Sequence, residues 1–398
     1  MKSIVFISHI AHSLINFIPL IKFINNNYPE LNVKLIDLNN FFLPTKEIDK
    51  DIPVDLKVDV YKMTELLSNR SENNFLFWFK RFIIKEKPKA IILPLDWWIY
   101  SSIVDIATFI DTKTIILQES ILDNSVLFPK INFINKIIDK IPILNKLNNQ
   151  YFFGKKEKAI YCLTGNYYKN ILKIYYPYMD KNYFVTGSLK MEYRFQEKKL
   201  SVHRVKKKLN LPCKAKFLLY VSQDFDNWSF YYRLKYPHRE TLIETLLEIK
   251  ALDPNIYHVV LAHPSENLNS WKNLISRFSI DSKKVIILQN PDIPYLSLYE
   301  AAYGLVGFFS TCLIEAMYVG KPIMTLDYIF EKPYLSVLQE RQAVISIKEK
   351  TELSKMSKNF LLDDQCKKLF KNQFLLAQDI FGIQDGRCSQ RVMEVINS

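Results

Sequence analysis

The chain has 398 residues, 48% of them hydrophobic, with a formal net charge of +13. That size suggests two or three domains with sizeable cores and argues against intrinsic disorder. The basic balance calls for an anionic partner, and nucleic acid fits least well, because no helix-turn-helix, zinc-finger or RNP-like pattern occurs and the lysines are spread along the chain. In chain order, β-branched runs predict strands at Ser3–Ser8, Val33–Asp37, Ala90–Pro94, Thr114–Leu117, Ala159–Leu163 and Tyr183–Thr186. Helical patterns fall between them, as at Leu14–Asn27, Ile99–Phe109 and Tyr167–Tyr175, which predicts a doubly wound parallel sheet. A basic, poorly patterned stretch, Glu192 to Lys214, reads as a linker. A second series follows, with strands at Phe217–Ser222, His258–Ala262, Val285–Leu288, Leu305–Phe309 and Ile323–Leu326. Helices around Arg239–Ala251, Trp271–Phe278, Tyr295–Ala302 and Leu313–Val319 alternate with them.

No apolar run approaches the roughly 20 residues needed to span a bilayer, and the N-terminus enters a strand without a cationic prelude or cleavage site, so a cytoplasmic location is expected. The five cysteines (Cys162, Cys213, Cys312, Cys366 and Cys388) are scattered and lack CxxC spacing, which suggests neither disulfides nor a zinc site. Two segments, Phe75 to Lys87 (FLFWFKRFIIKEK) and Phe128 to Lys158, interleave large apolar residues with Lys and Arg. Each suits either an interfacial helix on an anionic membrane or a helix with its apolar face in a domain core.

In open α/β sheets ligands sit beyond the carboxyl ends of the strands. Those positions are unusually polar here: His9 and His12, Asp96, Gln118 and Glu119 in the first series, then Ser222 and Gln223, His263, Gln289 and Asn290, Ser310 and Thr311, and Asp327 in the second. The stretch LVGFFSTCLIEAMYVGKPIMTLD, residues 305–327, reads as strand, small-residue turn, helix and strand. Ser310 and Thr311 open that helix, where unpaired N–H groups favour a phosphate, and Glu315 is expected on its first turn, exposed and within reach of a ribose. The alternative is an ordinary N-cap followed by a solvated Glu. His263 reads either as a phosphate contact or as a cap of the following helix. Asp224-Phe225-Asp226 spells a DxD, common by chance, and no essential metal is expected.

These motifs resemble a known group. The chain is similar to GT-B glycosyltransferases, in the clan that holds non-hydrolysing UDP-N-acetylglucosamine 2-epimerases, CDP-glycerol-type polymerases and the capsule Kdo and sialic-acid transferases. LAHPSEN at 261–267 matches the His-Pro element of these families, and STCLIEAMYVGKP at 310–322 matches their phosphate helix. Weaker echoes are YFVTGSLKMEYRF at 183–195 and DGRCSQRVMEVI at 385–396, the latter similar to a final helix that returns to the first domain. The epimerase pattern of a Gly-Gly pair, an Arg-Pro-Glu turn and an HRRExN passage is replaced here by Ser-Thr, SHIAHS and SQDFDN.

The resemblance implies an α/β fold of two Rossmann-like domains facing across a cleft: residues 1–195 for the acceptor, 196–376 for the nucleotide-sugar donor, and a returning helix at 377–398. It implies a metal-independent transferase that moves a sugar from a CMP-, CDP- or UDP-linked donor to a glycan or lipid-linked acceptor in bacterial surface polysaccharide synthesis. The nucleotide-sugar is a substrate and no cofactor is expected. Donor residues would be Gln223, His263, Ser310, Thr311 and Glu315, with His263 aiding departure of the phosphate. The acceptor base would be Asp96 or Glu119, then His12, with His9 in reserve. The alternatives are a 2-epimerase-like enzyme and a non-catalytic binding partner of a membrane assembly.

Overall fold

A computed structural model describes residues 2–9, 11–42, 56–96, 98–118, 153–154, 156–228, 234–281, 283–331 and 336–398, with backbone alone for 11–13, 15, 227–228 and 363–368. The chain divides into two compact units, Met1–Phe195 with Gln378–Ser398, and Gln196–Ala377.

The first unit holds a seven-stranded sheet in the order β3-β2-β1-β4-β5-β6-β7. Its strands are β1 (Ser3–Ser8), β2 (Asn32–Asp37), β3 (Asp59–Lys62), β4 (Ala90–Leu93), β5 (Lys113–Leu117), β6 (Ala159–Leu163) and β7 (Tyr183–Val185). Every pairing is parallel. Parallel pairing requires crossovers that cover both faces, and β1 shows the consequence: all six of its residues are buried. Phe6 packs on one side with the Ala11–Asn27 and Cys388–Asn397 helices, and Val5 and Ile7 on the other with Phe75, Ile103 and Ile171.

The second unit repeats the plan with six strands, ordered β10-β9-β8-β11-β12-β13 and again all parallel. They are β8 (Phe217–Val221), β9 (Tyr257–Leu261), β10 (Val285–Leu288), β11 (Gly304–Gly307), β12 (Ile323–Leu326) and β13 (Ile345–Ile347). In each sheet one strand pairs with two whose connections run in opposite directions, β1 between β2 and β4, and β8 between β9 and β11. Ligands of doubly wound sheets bind at such switch points.

The C-terminal segment is fastened to the first unit by buried polar bonds. Glu192 Oε2 accepts from the Ser389 hydroxyl at 2.6 Å and its amide at 3.0 Å, and Thr164 Oγ1 donates to the Ile380 carbonyl at 2.7 Å. Gly165 permits the approach: a Cβ there would lie 2.1 Å from the Asp379 carbonyl oxygen. Val392, Met393 and Ile396 are buried against the first helix, each contributing about 1.5–3 kcal/mol of transfer free energy.

The structure adds detail at three places. The stretch from Glu192 to Lys214 holds the boundary between the two units, and it carries the end of the helix Leu189–Gln196 and the helix Val202–Lys208, the latter capped by Ser201 and anchored by buried Val205. These helices are too short for their few apolar anchors to show a period among the lysines. Strands β3 and β13 escaped notice for the same reason, at four and three residues. The Phe75–Lys87 segment belongs to the helix Glu72–Glu86, which turns Phe75, Phe79, Phe82 and Ile83 into the core. Most of the second such segment, including residues 128–152, lies outside the described residues.

Candidate functional site

The second unit's switch point is built around the turn after β9. His263 and Glu266 close that turn reciprocally: the Glu266 amide donates to the His263 carbonyl at 3.0 Å, and the His263 amide donates to Glu266 Oε2 at 2.8 Å. Glu266 Oε1 accepts from Arg239 Nε at 2.8 Å, with His238 Nε2 at 3.5 Å. Burial of this side chain would raise its pKa, but bonds from His238, the His263 amide, Ser222 and Arg239 outweigh that and hold it below the ordinary range. From β10, Gln289 Nε2 reaches the carbonyls of His263, Pro264 and Glu266 at 2.9, 3.2 and 2.8 Å. The turn is thus clamped from two sides.

The imidazole itself is oriented by a short chain of side chains. His263 Nδ1 lies 2.7 Å from Ser265 Oγ, and the Ser265 hydroxyl donates to Asp224 Oδ2, just beyond β8. An ionised carboxylate only accepts, so the hydroxyl proton goes to Asp224 and Oγ is left to accept from Nδ1–H. The Ser265 amide also lies 3.3 Å from Nδ1 and would favour the other tautomer, but the 2.7 Å contact is the stronger. The ring is thereby held through Nδ1. Asp226, the other DxD carboxylate, pairs with Arg239 at 2.7 Å, so the two acids serve different partners. Among the described residues a cavity of about 400 Å³ adjoins this cluster, lined in part by Asp226, Lys235, Tyr236, His238 and Arg239.

Gln223 spans the switch point, its Nε2 donating to the Phe309 carbonyl at 3.2 Å. Ser310 caps the Thr311–Met317 helix in extended conformation, its Oγ accepting from the Cys312 amide at 3.3 Å. With seven residues that helix has a weaker dipole than a long one, so a phosphate there would depend more on the Ser310 and Thr311 hydroxyls. Glu315 is neither on the first turn nor exposed: it is 0% exposed and accepts from the Tyr299 hydroxyl at 3.3 Å. The helix turns that face towards the Tyr295–Ala301 helix. Asp327, beyond β12, gathers Thr325, Gln339 and Ser346 on Oδ2 at 2.9, 2.6 and 2.6 Å, and burial keeps its carboxyl above the usual range.

The first unit's strand ends are arranged differently. Asp96 is buried, its Oδ2 accepting from the Tyr161 hydroxyl at 2.5 Å and the Gly154 amide at 3.1 Å. His9 Nδ1 meets the Tyr100 hydroxyl at 2.7 Å, and burial lowers its pKa to about 4, so the ring is neutral at physiological pH. Gln118 accepts from the Thr164 amide at 3.2 Å. Trp98 holds a φ of 52° just past β4, an uncommon backbone for a bulky residue, and donates to Glu72 Oε1 at 2.9 Å. Glu119 lies outside the described residues, as does the side chain of His12, whose backbone falls in the first turn of the Ala11–Asn27 helix.

Sequence reasoning missed Glu266, Ser265 and Gln289 as the groups that hold His263. The spacing of a carboxylate three residues after a strand-end histidine, in HPSE, is the signal that marks such a reciprocal turn.

A family model described as "Capsule polysaccharide biosynthesis protein" matches residues 154–357, just over half of the chain. Among solved structures the fold is similar to S. aureus MnaA in a co-structure with UDP (14% identity, TM-score 0.63, covering 100% of this chain and 96% of that one). It is similar also to the UDP-GlcNAc 2-epimerase of Methanocaldococcus jannaschii (15%, 0.62, 100% and 99%) and to the wall teichoic acid polymerase TagF (13%, 0.58, 100% and 88%). At these identities the likeness shows the fold, two Rossmann-like domains of the GT-B kind. A search of curated proteins finds no match.

Proposed function

Because the chain belongs to the capsule polysaccharide biosynthesis protein family, we propose that it is a glycosyltransferase moving a sugar from a CMP-, CDP- or UDP-linked donor to a glycan or lipid-linked acceptor. The observation that carries this reading is the clamped His263 turn. A histidine held by Glu266 and Gln289, with Nδ1 directed to Ser265 and Asp224, presents Nε2 in a fixed direction at a switch point. With Nδ1–H given to Ser265, Nε2 donates only as an imidazolium; a ring that is doubly protonated in the donor complex would give Nε2–H to the departing nucleotide phosphate and stabilise the charge that develops as the glycosidic bond breaks, and preorganisation makes that contact effective. Ser310 and Thr311 would meet the phosphates, with Gln223 beside them. Glu315 would bind ribose only from its buried position under the helix.

On the acceptor side the reading needs one general base to take the hydroxyl proton. Asp96, Glu119 and His12 are proposed for it, with His9 in reserve. The reaction is proposed to need no metal, so it should persist in a chelator, and loss of activity there overturns that part. The enzyme is proposed to work in the cytoplasm, at the inner face of a membrane.

Thermal shift against CMP, CDP and UDP is the first test, since a nucleotide at 100 times its dissociation constant stabilises the fold by roughly 2.7 kcal/mol. His263→Ala should then lower single-turnover transfer by roughly 10² to 10³ while the protein still melts as wild type. No shift with any nucleotide, or full activity without His263, defeats the reading. An epimerase reading is kept alive by Asp96 and Glu119, which parallel two acidic positions of the epimerases. It predicts that UDP-GlcNAc is converted to its 2-epimer with no acceptor present. A non-catalytic binding partner would show a nucleotide shift and neither reaction.

A further inference from the structure

The two helical layers of the first unit differ on their outer surfaces. Among the described residues, the layer formed by the Ala11–Asn27 and Cys388–Asn397 helices exposes no large apolar side chain. On the opposite layer, Phe77 is 66% exposed, Ile84 49% and Phe109 80%, with Ile174 of the Asn166–Tyr175 helix at 76%. Among the exposed residues of the Glu72–Glu86 helix, Phe77, Lys80, Arg81 and Ile84 stand at spacings of three and four, which put them on one stripe. That stripe lies opposite the buried Phe75, Phe79, Phe82 and Ile83.

Its chemistry is mixed in a particular way. Lys80 Nζ sits 5.2 Å from the centre of the Phe109 ring, at the end of the neighbouring Ile99–Phe109 helix, and the Arg81 guanidinium 5.8 Å from that of Phe77. Three of the acids nearby are engaged elsewhere: Glu72 accepts from Trp98, Glu86 pairs with Lys34 at 2.6 Å, and Asp105 with Lys156 at 2.9 Å; among the described residues, exposed Asp111, two residues past Phe109, is the one acid set against the five cations Lys80, Arg81, Lys85, Lys87 and Lys89. Lys85 and Lys87 add to the positive side. Exposed aromatic rings among an excess of cations are the composition of a surface that inserts rings at the headgroup boundary while its cations meet anionic lipid.

We propose that this outer surface, centred on Phe77, Lys80, Arg81 and Phe109, docks the enzyme on an anionic lipid bilayer. Charge complementarity selects the bilayer over a second copy of the chain, because the same face on two copies would oppose cation to cation. The proposal deepens the reading of a membrane-proximal surface polysaccharide enzyme, but its test is separable from that reading.

The test is co-sedimentation with vesicles of equal parts phosphatidylglycerol and phosphatidylcholine, beside vesicles of phosphatidylcholine alone. Wild type should bind the anionic vesicles, weaken as salt rises and leave the neutral ones in solution. Lys80→Glu with Arg81→Glu should lower affinity roughly 25-fold or more, from about fivefold per lost cation. Phe77→Ser with Phe109→Ser should lower it by roughly tenfold or more at unchanged melting temperature. Arg204→Glu with Lys207→Glu, equal in charge but on the second unit, should change it far less. No vesicle binding, or an equal loss in that control, overturns the proposal. So does a large drop in melting temperature for the phenylalanine pair, which would mean that the protein itself covers the face, or a solution dimer broken by the same changes. CDP and UDP thermal shifts on the same samples keep the two failures apart: lost docking with an intact nucleotide shift removes the surface alone.

Discussion

The ends of the two sheets put similar residue types to different uses. In the second unit the polar groups beyond β8 to β12 bond mainly to one another and to their own turns: Gln223 to the neighbouring strand end, Gln289 to three carbonyls of one turn, and His263 through Ser265 to Asp224. In the first unit the same strand-end positions hold the interior together. Asp96 ties Tyr161 to Gly154, which in turn accepts from the Tyr183 hydroxyl at 2.7 Å, and Gln118 braces the chain after β6. A polar residue after a strand is therefore not yet a functional group. What decides is whether its bonds fix a reactive atom in place or are themselves the reason the residue is there.

The largest effect expected from this contrast is at Asp96. Its removal leaves two buried donors without an acceptor, at roughly 1–3 kcal/mol each, so Asp96→Ala should lose about 3–5 kcal/mol in urea unfolding. Asp96→Asn, which still accepts, should lose less. If Asp96→Asn unfolds like wild type and loses only transfer, Asp96 is a chemical group after all and the contrast fails.

Acid should weaken both units through one buried histidine each. His9 and His258 are lowered from 6.5 to about 4, by burial above all. The unfolded chain then takes up the proton first, so this stability is complete above about 6.5 and is lost as pH falls towards 4. At about 1.4 kcal/mol per pKa unit each site accounts for up to about 3 kcal/mol. Urea titrations across that range should show the slope, and His258→Gln or His9→Gln should each flatten part of it. An unchanged slope in both variants would place the acid sensitivity elsewhere.

Smaller again is the effect of loosening His263 without removing it. Ser265→Ala and Asp224→Asn should slow transfer roughly 10- to 100-fold, as expected for a reacting group that is no longer held in position. Nucleotide affinity should be nearly intact and the pH–rate profile shifted. Wild-type rates in both variants would reduce the chain of side chains to a local fastening, like that of Asp96.

Smallest is Glu315→Gln, which keeps the shape of a fully buried side chain. A core role predicts a loss of about 1–2 kcal/mol in stability with CDP or UDP affinity unchanged. A ribose role predicts the reverse, and calorimetry beside urea unfolding separates them.

Much of the fold was legible from local pattern. Buried parallel strands are short apolar runs, and most were placed within a residue or two, as at β1, β6, β10 and β12. The cap at Ser310 was legible for the same reason, since it bonds within a few residues of itself, whereas the cap weighed for His263 falls to Asn267 instead. The site's framing was not. Glu266 sits in a motif that was noticed, yet its burial depends on Arg239 and His238, which arrive from a helix earlier in the chain.

The sequence by itself determined where strands alternate with helices and which polar residues stand at strand ends, while the strand order and the place where each sheet reverses came from the fold. The alternation and the strand-end positions follow from spacing, and spacing acts over a few residues. Tertiary structure alone decided that Asp96 accepts from Tyr161, 65 residues on, and that Glu315 faces inward to Tyr299. It also decided that Glu192 receives Ser389 from 197 residues away, and that Phe77 and Arg81 are among the outward residues of a helix whose other face is core. A side chain's burial and its bonding partners are set by groups distant along the chain, and in a doubly wound sheet those groups meet only once the crossovers have closed.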